Sequence, residues 1–300
     1  MGISINNISK SYKNVKALQD ISFEVKEGEL FGLIGPDGAG KTTLFRILTT
    51  LLFADNGSAT VAGFDVVKAY KNIRNNVGYM PGKFSLYQDL TIEENLNFFA
   101  TIFGTTIEEN YDLIKDIYVQ IEPFKNRRAG KLSGGMKQKL ALCCALIHKP
   151  KVLFLDEPTT GVDPVSRKEF WDMLKRLQQK GITILVSTPY MDEAELCDRI
   201  ALIQGGKILD IDTPQEIVKH YPKPIYNVSA NNMYQLINSL NDYEFNHSVY
   251  PFGEFVHYTD SRIDFNPEDL KAYLETKKLL NIAIEKTVAT IEDTFMELAK

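Results

Sequence analysis

The stretch that decides the fold is "KLSGGMKQKLALCCALIHKPKVLFLDEPTTGVDP", residues 131–164. Its first half has the spacing of a helix, and "KVLFLDEP" (residues 151–158) is a continuous apolar run that ends in two acids. Such a run, bounded by turn signals, is typical of a strand buried on both faces of a mixed or parallel sheet. A second run, "GITILVS" (residues 181–187), follows "PVSRKEFWDMLKRLQQKG", whose apolar spacing between Pro164 and Gly181 indicates a helix. This alternation predicts an α/β fold.

Nearer the start of the chain, "GPDGAGKTT" (residues 35–43) follows the apolar run "ELFGLI" and matches the phosphate-loop pattern G-x-x-x-x-G-K-[ST]. Its glycines let the backbone fold tightly, so that successive N–H groups point at phosphate oxygens, and the helix predicted from about Lys41 adds its positive end. In this arrangement Lys41 reaches the β- and γ-phosphates, and the Thr42 hydroxyl ligates Mg²⁺. The predicted nucleotide-binding residues of this phosphate loop are Gly35, Pro36, Asp37, Gly38, Ala39, Gly40, Lys41, Thr42 and Thr43.

Two acids, Asp156 and Glu157, stand where the apolar run of residues 151–158 ends. A strand that delivers an acid at its carboxyl end places Asp156 near the magnesium, so Thr42 and Asp156 are the predicted metal ligands. Glu157 is then positioned as the general base for an attacking water, and Lys41 and Glu157 are the predicted catalytic residues. The motifs together predict a site for ATP and Mg²⁺.

The order of motifs in this chain resembles that of the ABC (ATP-binding cassette) ATPases. LSGGM (residues 132–136) precedes the acidic strand end, and "TTGVDP" follows it. In that family two cassettes pair head to tail, and ATP lies between the phosphate loop of one and the LSGG of the other. The resemblance therefore implies a set of residues that act on a partner's nucleotide: Ser133, Gly134, Gly135, Met136 and Asp163.

The resemblance covers residues 1 to about 220, and the detailed sequence of this region is similar to that of the drug-resistance branch of exporter ATPases. In particular it resembles the first cassette of bacterial exporters that carry two dissimilar cassettes, and "TIEDTFMELAK" resembles the tail motif of that branch. Tyr12, in "SKSYKN", matches the aromatic residue that stacks on adenine in the family, although an aromatic at a strand end is the plainer interpretation. The implied function is the ATP-hydrolysing subunit of a membrane exporter whose permease subunits are separate chains.

Two positions depart from the family pattern. After "VGYMP" the family has a glutamine near the attacking water, and here the residue is Gly82. After "LVST" the family has a histidine that bonds the γ-phosphate, and here the residue is Pro189. Neither residue has a side chain that donates a hydrogen bond, and proline also lacks the backbone N–H. The loss of one preorganised hydrogen-bond donor typically lowers the catalytic rate by roughly 10²–10³-fold.

These departures suggest an asymmetric pair, in which this chain holds ATP in a slow site and lends its intact LSGGM to a complete cassette. The alternatives are a fully active homodimer that tolerates both changes, a nucleotide-gated subunit that never hydrolyses ATP, and a soluble ABC ATPase that acts on ribosomes or DNA. The last class usually has two cassettes in one chain, a long coiled coil or a zinc insert, and this chain has none of these and no basic face. No nucleic-acid partner is therefore expected.

The sequence predicts two domains. Residues 1–220 form the cassette: a mixed-sheet core with an antiparallel β subdomain and, at about residues 84–145, a helical subdomain. After "HYPKPIYN" the composition becomes acidic, and residues 221–300 are predicted to form a small accessory α+β domain. Thr290 and Asp293 form a capping-box-like start to its last helix.

Composition limits the remaining classes. The net charge of −5 lies in the tail, since residues 222–300 hold 7 Lys+Arg against 12 Asp+Glu and the remainder holds 27 of each sign. Cys143, Cys144 and Cys197 suit buried thiols better than a disulfide framework or a metal site. With no signal peptide and no apolar run of membrane-spanning length, we expect a cytoplasmic protein, held peripherally at the cytoplasmic face of the membrane by its permease.

Two further expectations concern the helical subdomain. The segment from Phe84 to about Phe103 lies where the family docks a permease helix, and most of its aromatic residues are expected in the subdomain core. His148, in the loop before the acidic strand, is expected at the surface.

Overall fold

The computed structural model describes residues 2–300 and divides into two compact units, the first ending at Pro214 and the second beginning at Gln215. Within residues 2–300, no helix combines the length and the apolar character that crossing a membrane requires. The strands of the first unit are β1 (Ile3–Tyr12), β2 (Val15–Val25), β3 (Leu30–Ile34), β4 (Asn56–Val61), β5 (Phe64–Asp65), β6 (Val77–Met80), β7 (Val152–Asp156), β8 (Thr183–Thr188), β9 (Arg199–Gln204) and β10 (Lys207–Asp212). Its helices are α1 (Lys41–Leu48), α2 (Tyr70–Asn76), α3 (Ile92–Ile102), α4 (Tyr111–Tyr118), α5 (Gly134–Leu146) and α6 (Pro164–Gln179).

The central sheet has the strand order β10-β9-β3-β8-β7-β6, in which only β10 is antiparallel to its neighbour. Strands β3, β7 and β8 are buried at every residue, as the two continuous apolar runs predicted. Because β3, β6, β7 and β8 run in one direction, their carboxyl ends meet at a single edge of the sheet. The phosphate loop and the acidic pair both follow strands that end at this edge.

An antiparallel sheet of order β2-β1-β4-β5 forms the second layer of this unit. Its apolar residues share one core with α1 and with the central sheet, and Phe23 of β2 stacks on Phe31 of β3 at a ring-centroid distance of 5.2 Å. The predicted antiparallel subdomain and the mixed-sheet core are therefore both present.

The helix after the acidic strand begins and ends as its sequence predicts. Pro164 occupies the first turn of α6, and the Asp163 carboxylate caps it by accepting a hydrogen bond from the Ser166 N–H at 3.0 Å. At the other end Gly181 has a φ of +88°, the left-handed conformation that terminates a helix without steric cost.

Three helices, α3, α4 and α5, lie between β6 and β7, and α3 begins with a complete capping box of Thr91 and Glu94. The expectation of a core position for most aromatic residues of this segment is wrong. Tyr87 is 50% exposed and Phe98 is 36% exposed, and Phe84, Phe99 and Phe103 are only half-buried. The apolar face of α3 is packed by Ile92, Leu96 and Ala100 instead, which leaves the rings at the edge.

The surface expectation for His148 is also wrong. Its ring is half-buried and stacks on Phe103 at a centroid distance of 3.8 Å, and Nε2 lies 3.1 Å from the Val77 carbonyl. Burial lowers the pKa of His148. The cysteine prediction is confirmed, since Cys143, Cys144 and Cys197 are free and buried.

The second unit is α+β, as predicted for the tail. The elements after β10 are α7 (Pro214–Lys219), β11 (Ile225–Ser229), α8 (Met233–Asn241), β12 (Asn246–Phe252), β13 (Phe255–Asp260), α9 (Pro267–Thr276), β14 (Ala283–Thr287) and α10 (Ile291–Leu298). An antiparallel sheet of order β12-β13-β11-β14 packs against α8 and α9 over a core that includes Leu236, Leu270 and Tyr258. The last helix, α10, begins with the predicted capping box of Thr290 and Asp293.

Candidate nucleotide-binding site

The phosphate loop connects β3 to α1, and two of its glycines are required by close backbone contacts. A Cβ built on Gly35 would lie 2.0 Å from the Ile203 carbonyl oxygen, and one on Gly40 would lie 2.4 Å from the Ala17 carbonyl oxygen. Gly40 also has a φ of +108° at the N-cap of α1, a conformation that L side chains rarely adopt. The loop therefore folds as a tight turn that ends in a helix N-terminus, the arrangement that binds phosphate.

Lys41 lies inside this loop, with only 3% of its surface exposed. Its ammonium group donates hydrogen bonds to the carbonyl oxygens of Gly35 at 2.7 Å and Pro36 at 3.0 Å, and it pairs with the Glu157 carboxylate at 3.0 Å. The predicted phosphate ligand and the predicted general base are thus in direct contact. A nucleotide whose phosphates reach Lys41 has to compete with Glu157 for the same ammonium group.

The end of β7 holds the acidic pair through a serine on the neighbouring strand. Asp156 is 2% exposed, and its Oδ1 accepts a hydrogen bond from Ser187 Oγ at 2.7 Å. The Glu157 N–H donates to the Ser187 carbonyl at 3.0 Å and to its hydroxyl at 3.1 Å, and Glu157 has a φ of +51°. Sequence reasoning missed Ser187. The available signal was a polar residue at the end of a buried apolar run that pairs with the acidic strand.

These residues fit a magnesium ion bound with nucleotide. Mg²⁺ prefers oxygen ligands and usually takes only one or two from the protein, the rest coming from phosphates and water. Asp156 accepts the Ser187 hydrogen bond through Oδ1, and Thr42 places a hydroxyl in the first turn of α1. Within the described residues, no group of three or more His, Cys, Asp or Glu side chains is arranged so that it could hold a metal ion.

Tyr79 of β6 is a second residue that sequence reasoning missed. Burial, and after it the negative charge of Asp156, raise the pKa of Tyr79 to about 12. The phenol therefore stays protonated beside the acidic strand end at neutral pH. The parallel pairing of Tyr79 with Phe154 of β7 places this residue beside the acidic strand, and this pairing is not visible in the sequence.

The two positions that depart from the family pattern both lie at this edge of the sheet. A Cβ built on Gly82 would be 3.0 Å from the Asp156 carbonyl oxygen and 3.9 Å from Glu157 Cβ. Pro189 directly follows Thr188, whose carbonyl accepts a hydrogen bond from the Gly35 N–H at 3.2 Å. Residues 82 and 189 are therefore neighbours of the acidic pair and of the phosphate loop, respectively.

Tyr12 lies at the end of β1, opposite Val15 of β2, and its ring is 43% exposed. Ala17 of the same hairpin abuts Gly40 of the phosphate loop. Tyr12 therefore lies on the hairpin that borders the phosphate loop, and part of its ring is exposed to solvent.

The LSGGM segment forms a separate cluster around the start of α5. Ser133 caps α5 by accepting a hydrogen bond from the Met136 N–H at 3.4 Å. A Cβ on Gly135 would lie 2.8 Å from the Ser166 hydroxyl, so the start of α5 packs closely on the start of α6, where Asp163 is the cap. Among residues 2–300, no hydrogen bond or ion pair joins this cluster to the phosphate loop.

A glycine-rich loop, a buried lysine and an acidic strand end at the carboxyl edge of a mixed sheet define a P-loop nucleotide-binding protein. Residues 18–160 match the family model described as ABC transporter. The chain is 32% identical over 302 aligned positions to the Nod factor export ATP-binding protein I of Rhizobium sp. (strain N33), covering 99% of this chain and 97% of that protein. The chain therefore belongs to the family of ABC transporter ATP-binding proteins.

Other relatives are more similar over a shorter region. The probable multidrug ABC transporter ATP-binding protein YbhF of Escherichia coli (strain K12) is 45% identical over 221 residues, which are 72% of this chain and 38% of that protein. This chain thus matches well under half the length of YbhF. Among solved structures, an ATP-binding subunit of an ABC transporter superposes with a TM-score of 0.67 at 26% identity, covering 74% of this chain and 93% of that one. The ADP- and phosphate-bound dimer of the cassette MJ0796 superposes with a TM-score of 0.64 at 25% identity, covering 70% and 98%.

Proposed function

We propose that this chain binds MgATP and, paired with a second ABC cassette, powers a membrane exporter whose permease is a separate subunit. The observation that carries the proposal is the co-occurrence in one unit of a complete phosphate loop, an acidic pair in contact with Lys41, and an LSGGM-capped helix. The names of the relatives, which include a probable multidrug ABC transporter ATP-binding protein and a Nod factor export ATP-binding protein, favour export as the direction. The working location is then the cytoplasmic face of the membrane.

In the proposed bound state the chain's own residues have distinct tasks. Lys41 exchanges its carbonyl and Glu157 partners for phosphate oxygens, which frees the Glu157 carboxylate to accept a proton from water. Thr42 and Asp156 hold a magnesium ion that neutralises phosphate charge when bound. Ser187 fixes the orientation of Asp156 and of the Glu157 backbone. The exposed Tyr12 ring stacks on adenine.

We further propose that hydrolysis at this site is slow. Gly82 lies beside Glu157 and Pro189 beside the phosphate loop, and neither offers a donor to the water or to the γ-phosphate. Binding is retained, because the groups that contact the ground-state phosphates are present and only donors for the growing charge are missing. The start of α5 (Ser133, Gly134, Gly135 and Met136) and Asp163 instead complete the site of the partner cassette.

A cavity of about 500 Å³ is the proposed contact with the permease. It opens between the β6 edge of the central sheet, α3 and α5. Its lining includes Arg74, Tyr79, Phe99, Ile102, Phe103 and His148. Phe99 and Phe103, two of the half-buried rings expected in the core, thus border an open groove, as a surface that receives an apolar helix requires.

The test compares two variants of this chain in the complex purified with its natural partners. Glu157→Gln should change phosphate release only slightly, because the partner cassette supplies most of the turnover. Ser133→Arg should abolish most of it, because the bulky cation enters the partner's site. A large loss in Glu157→Gln would overturn the slow-site proposal in favour of an active homodimer. Recovery of ribosomes or DNA instead of a permease would overturn the transport proposal.

A further inference from the structure

A buried carboxylate lies behind the nucleotide site and has no role in the function proposed above. Glu193, in the 3-10 segment Met191–Leu196, is 1% exposed. It accepts hydrogen bonds from the Thr188 hydroxyl at 2.5 Å and from the Thr159 hydroxyl at 2.7 Å. Thr188 ends β8, and Thr159 lies in the segment that leads from β7 to α6. One carboxylate therefore ties two loops that are distant in sequence.

The same carboxylate also reaches α6. Arg167 Nε lies 3.6 Å from Glu193 Oε1, and the Arg167 guanidinium stacks over the Tyr190 ring at 4.4 Å. Arg167 Nε is buried and makes no hydrogen bond, so its favourable interaction is with this charge. A buried carboxylate is costly unless hydrogen bonds and a cation compensate it, and Glu193 has both kinds of partner.

These contacts link the two clusters of the cassette. On one side, the Thr188 carbonyl binds the Gly35 N–H at the start of the phosphate loop. On the other side, the 159–163 loop ends at Asp163, the cap of α6, and α6 packs on the start of α5 through Ser166 and Gly135. One hydrogen-bonded path from the phosphate loop to the 159–163 loop passes through Glu193. A second runs from Lys41 to Glu157, whose carbonyl accepts a hydrogen bond from the Thr160 N–H at 3.3 Å.

We propose that Glu193 is a positioning residue that fixes the 159–163 loop against the end of β8. The inference rests on the proposed function for its purpose: it sets Asp163 and the start of α5 in the geometry that serves a partner's nucleotide. The Glu193 carboxylate touches no nucleotide itself. It acts by restricting the motion of the 159–163 loop, in which Thr160 and Gly161 are exposed to solvent.

The test measures the mobility of that loop with a nitroxide label on Thr160→Cys. The native cysteines are buried, so the introduced thiol is the one that reacts under native conditions. A label on Gln179→Cys, exposed at the far end of α6, is the matched control for helix integrity. Glu193→Ala leaves both threonine hydroxyls without their acceptor, whereas Glu193→Gln keeps the size and one acceptor oxygen.

The expected result is a graded and local loss of order. The Thr160→Cys label should be immobilised in the parent, clearly more mobile with Glu193→Gln and most mobile with Glu193→Ala or Thr159→Val. The Gln179→Cys spectrum should not change. An unchanged Thr160→Cys spectrum, or equal loosening at both labels, overturns the proposal. The readout needs neither partner nor turnover, so it stands even if the complex shows no export activity; that result would overturn only the proposed function.

Discussion

At the scale of single residues, position 189 is the sharpest test of the slow site. Pro189→His restores a side-chain donor next to Thr188, which already contacts the phosphate loop. We expect phosphate release per chain to rise by up to roughly 10²-fold, the effect typical of one preorganised donor. The rate is measured over a range of chain concentrations, so that self-association does not limit it.

Two controls accompany this variant. Pro189→Ala restores the backbone N–H but adds no side-chain donor, and it should leave the rate unchanged. Gly82→Gln alone should gain less than Pro189→His, because its Cβ would lie only 3.0 Å from the Asp156 carbonyl and the loop must shift to accept it. A gain in Pro189→Ala equal to that in Pro189→His would assign the effect to the backbone and contradict the donor argument.

A second single-residue prediction concerns Ser187. Ser187→Ala removes the donor to the buried Asp156 carboxylate and one of the two acceptors of the Glu157 N–H, whose bond to the residue 187 carbonyl remains. We expect the free energy of unfolding to fall by about 1–3 kcal/mol, the usual result of leaving a buried polar group short of a partner. Affinity for ATP should weaken more in the presence of Mg²⁺ than in its absence.

Urea unfolding and nucleotide titration, each with and without Mg²⁺, measure both effects. Ser58→Ala, at an exposed position of β4, is the matched control and should change neither quantity. Equal weakening of ATP binding with and without Mg²⁺ would mean that Ser187 supports the fold but not the metal site.

At the scale of secondary-structure elements, the attachment of α10 depends on an ionised carboxylate. Asp293 caps α10 and binds His257 Nδ1 at 2.8 Å. Burial by itself raises the pKa of Asp293, but hydrogen bonds from His257 and Thr290 outweigh it, so the pKa is lower than usual. Because the folded-state pKa is depressed, this stabilisation is present above the ordinary aspartate pKa of about 3.9 and is lost as pH falls through the lower folded value.

Asp293→Asn should therefore weaken the protection of α10 at neutral pH and matter progressively less as pH falls below about 4. Hydrogen exchange of peptides from residues 283–300, corrected for the intrinsic rate at each pH, measures it. Glu292→Gln, the adjacent exposed acid, removes the same charge and should have little effect. A difference between Asp293→Asn and the parent that stays constant down to the lowest pH would contradict the assignment.

Several secondary-structure elements could be predicted from the sequence alone. The buried runs of β7 and β8, the cap and end of α6, and the capping box of α10 were predictable, because each signal lies within a few neighbouring residues. The Ser187–Asp156 bond joins residues 31 positions apart, and the Glu193–Thr159 bond joins residues 34 positions apart. Only the strand pairing brings these residues together. The helical subdomain was predictable, but not that Phe99 and Phe103 border an open groove.

For the whole molecule, the division into two compact units suggests that the first unit alone binds the nucleotide. Truncation of the chain tests this. Every contact assigned to the nucleotide lies between Tyr12 and Pro189, within the first unit. A chain that ends after Tyr221 keeps α7 and loses the sheet of the second unit. We expect its affinity for MgATP to stay within about twofold of the full chain, because none of the phosphate or metal contacts is removed.

Titration of both chains with a fluorescent ATP analogue measures this, and Lys41→Ala in each chain supplies the baseline for lost binding. Circular dichroism and thermal unfolding establish that the shorter chain is folded. If a folded shorter chain binds MgATP more than about tenfold more weakly, the second unit contributes to the site, and the assignment of residues 221–300 as an accessory domain is wrong. Retained affinity leaves that unit a role outside nucleotide binding, since neither its sheet nor α10 then serves the phosphates or the metal.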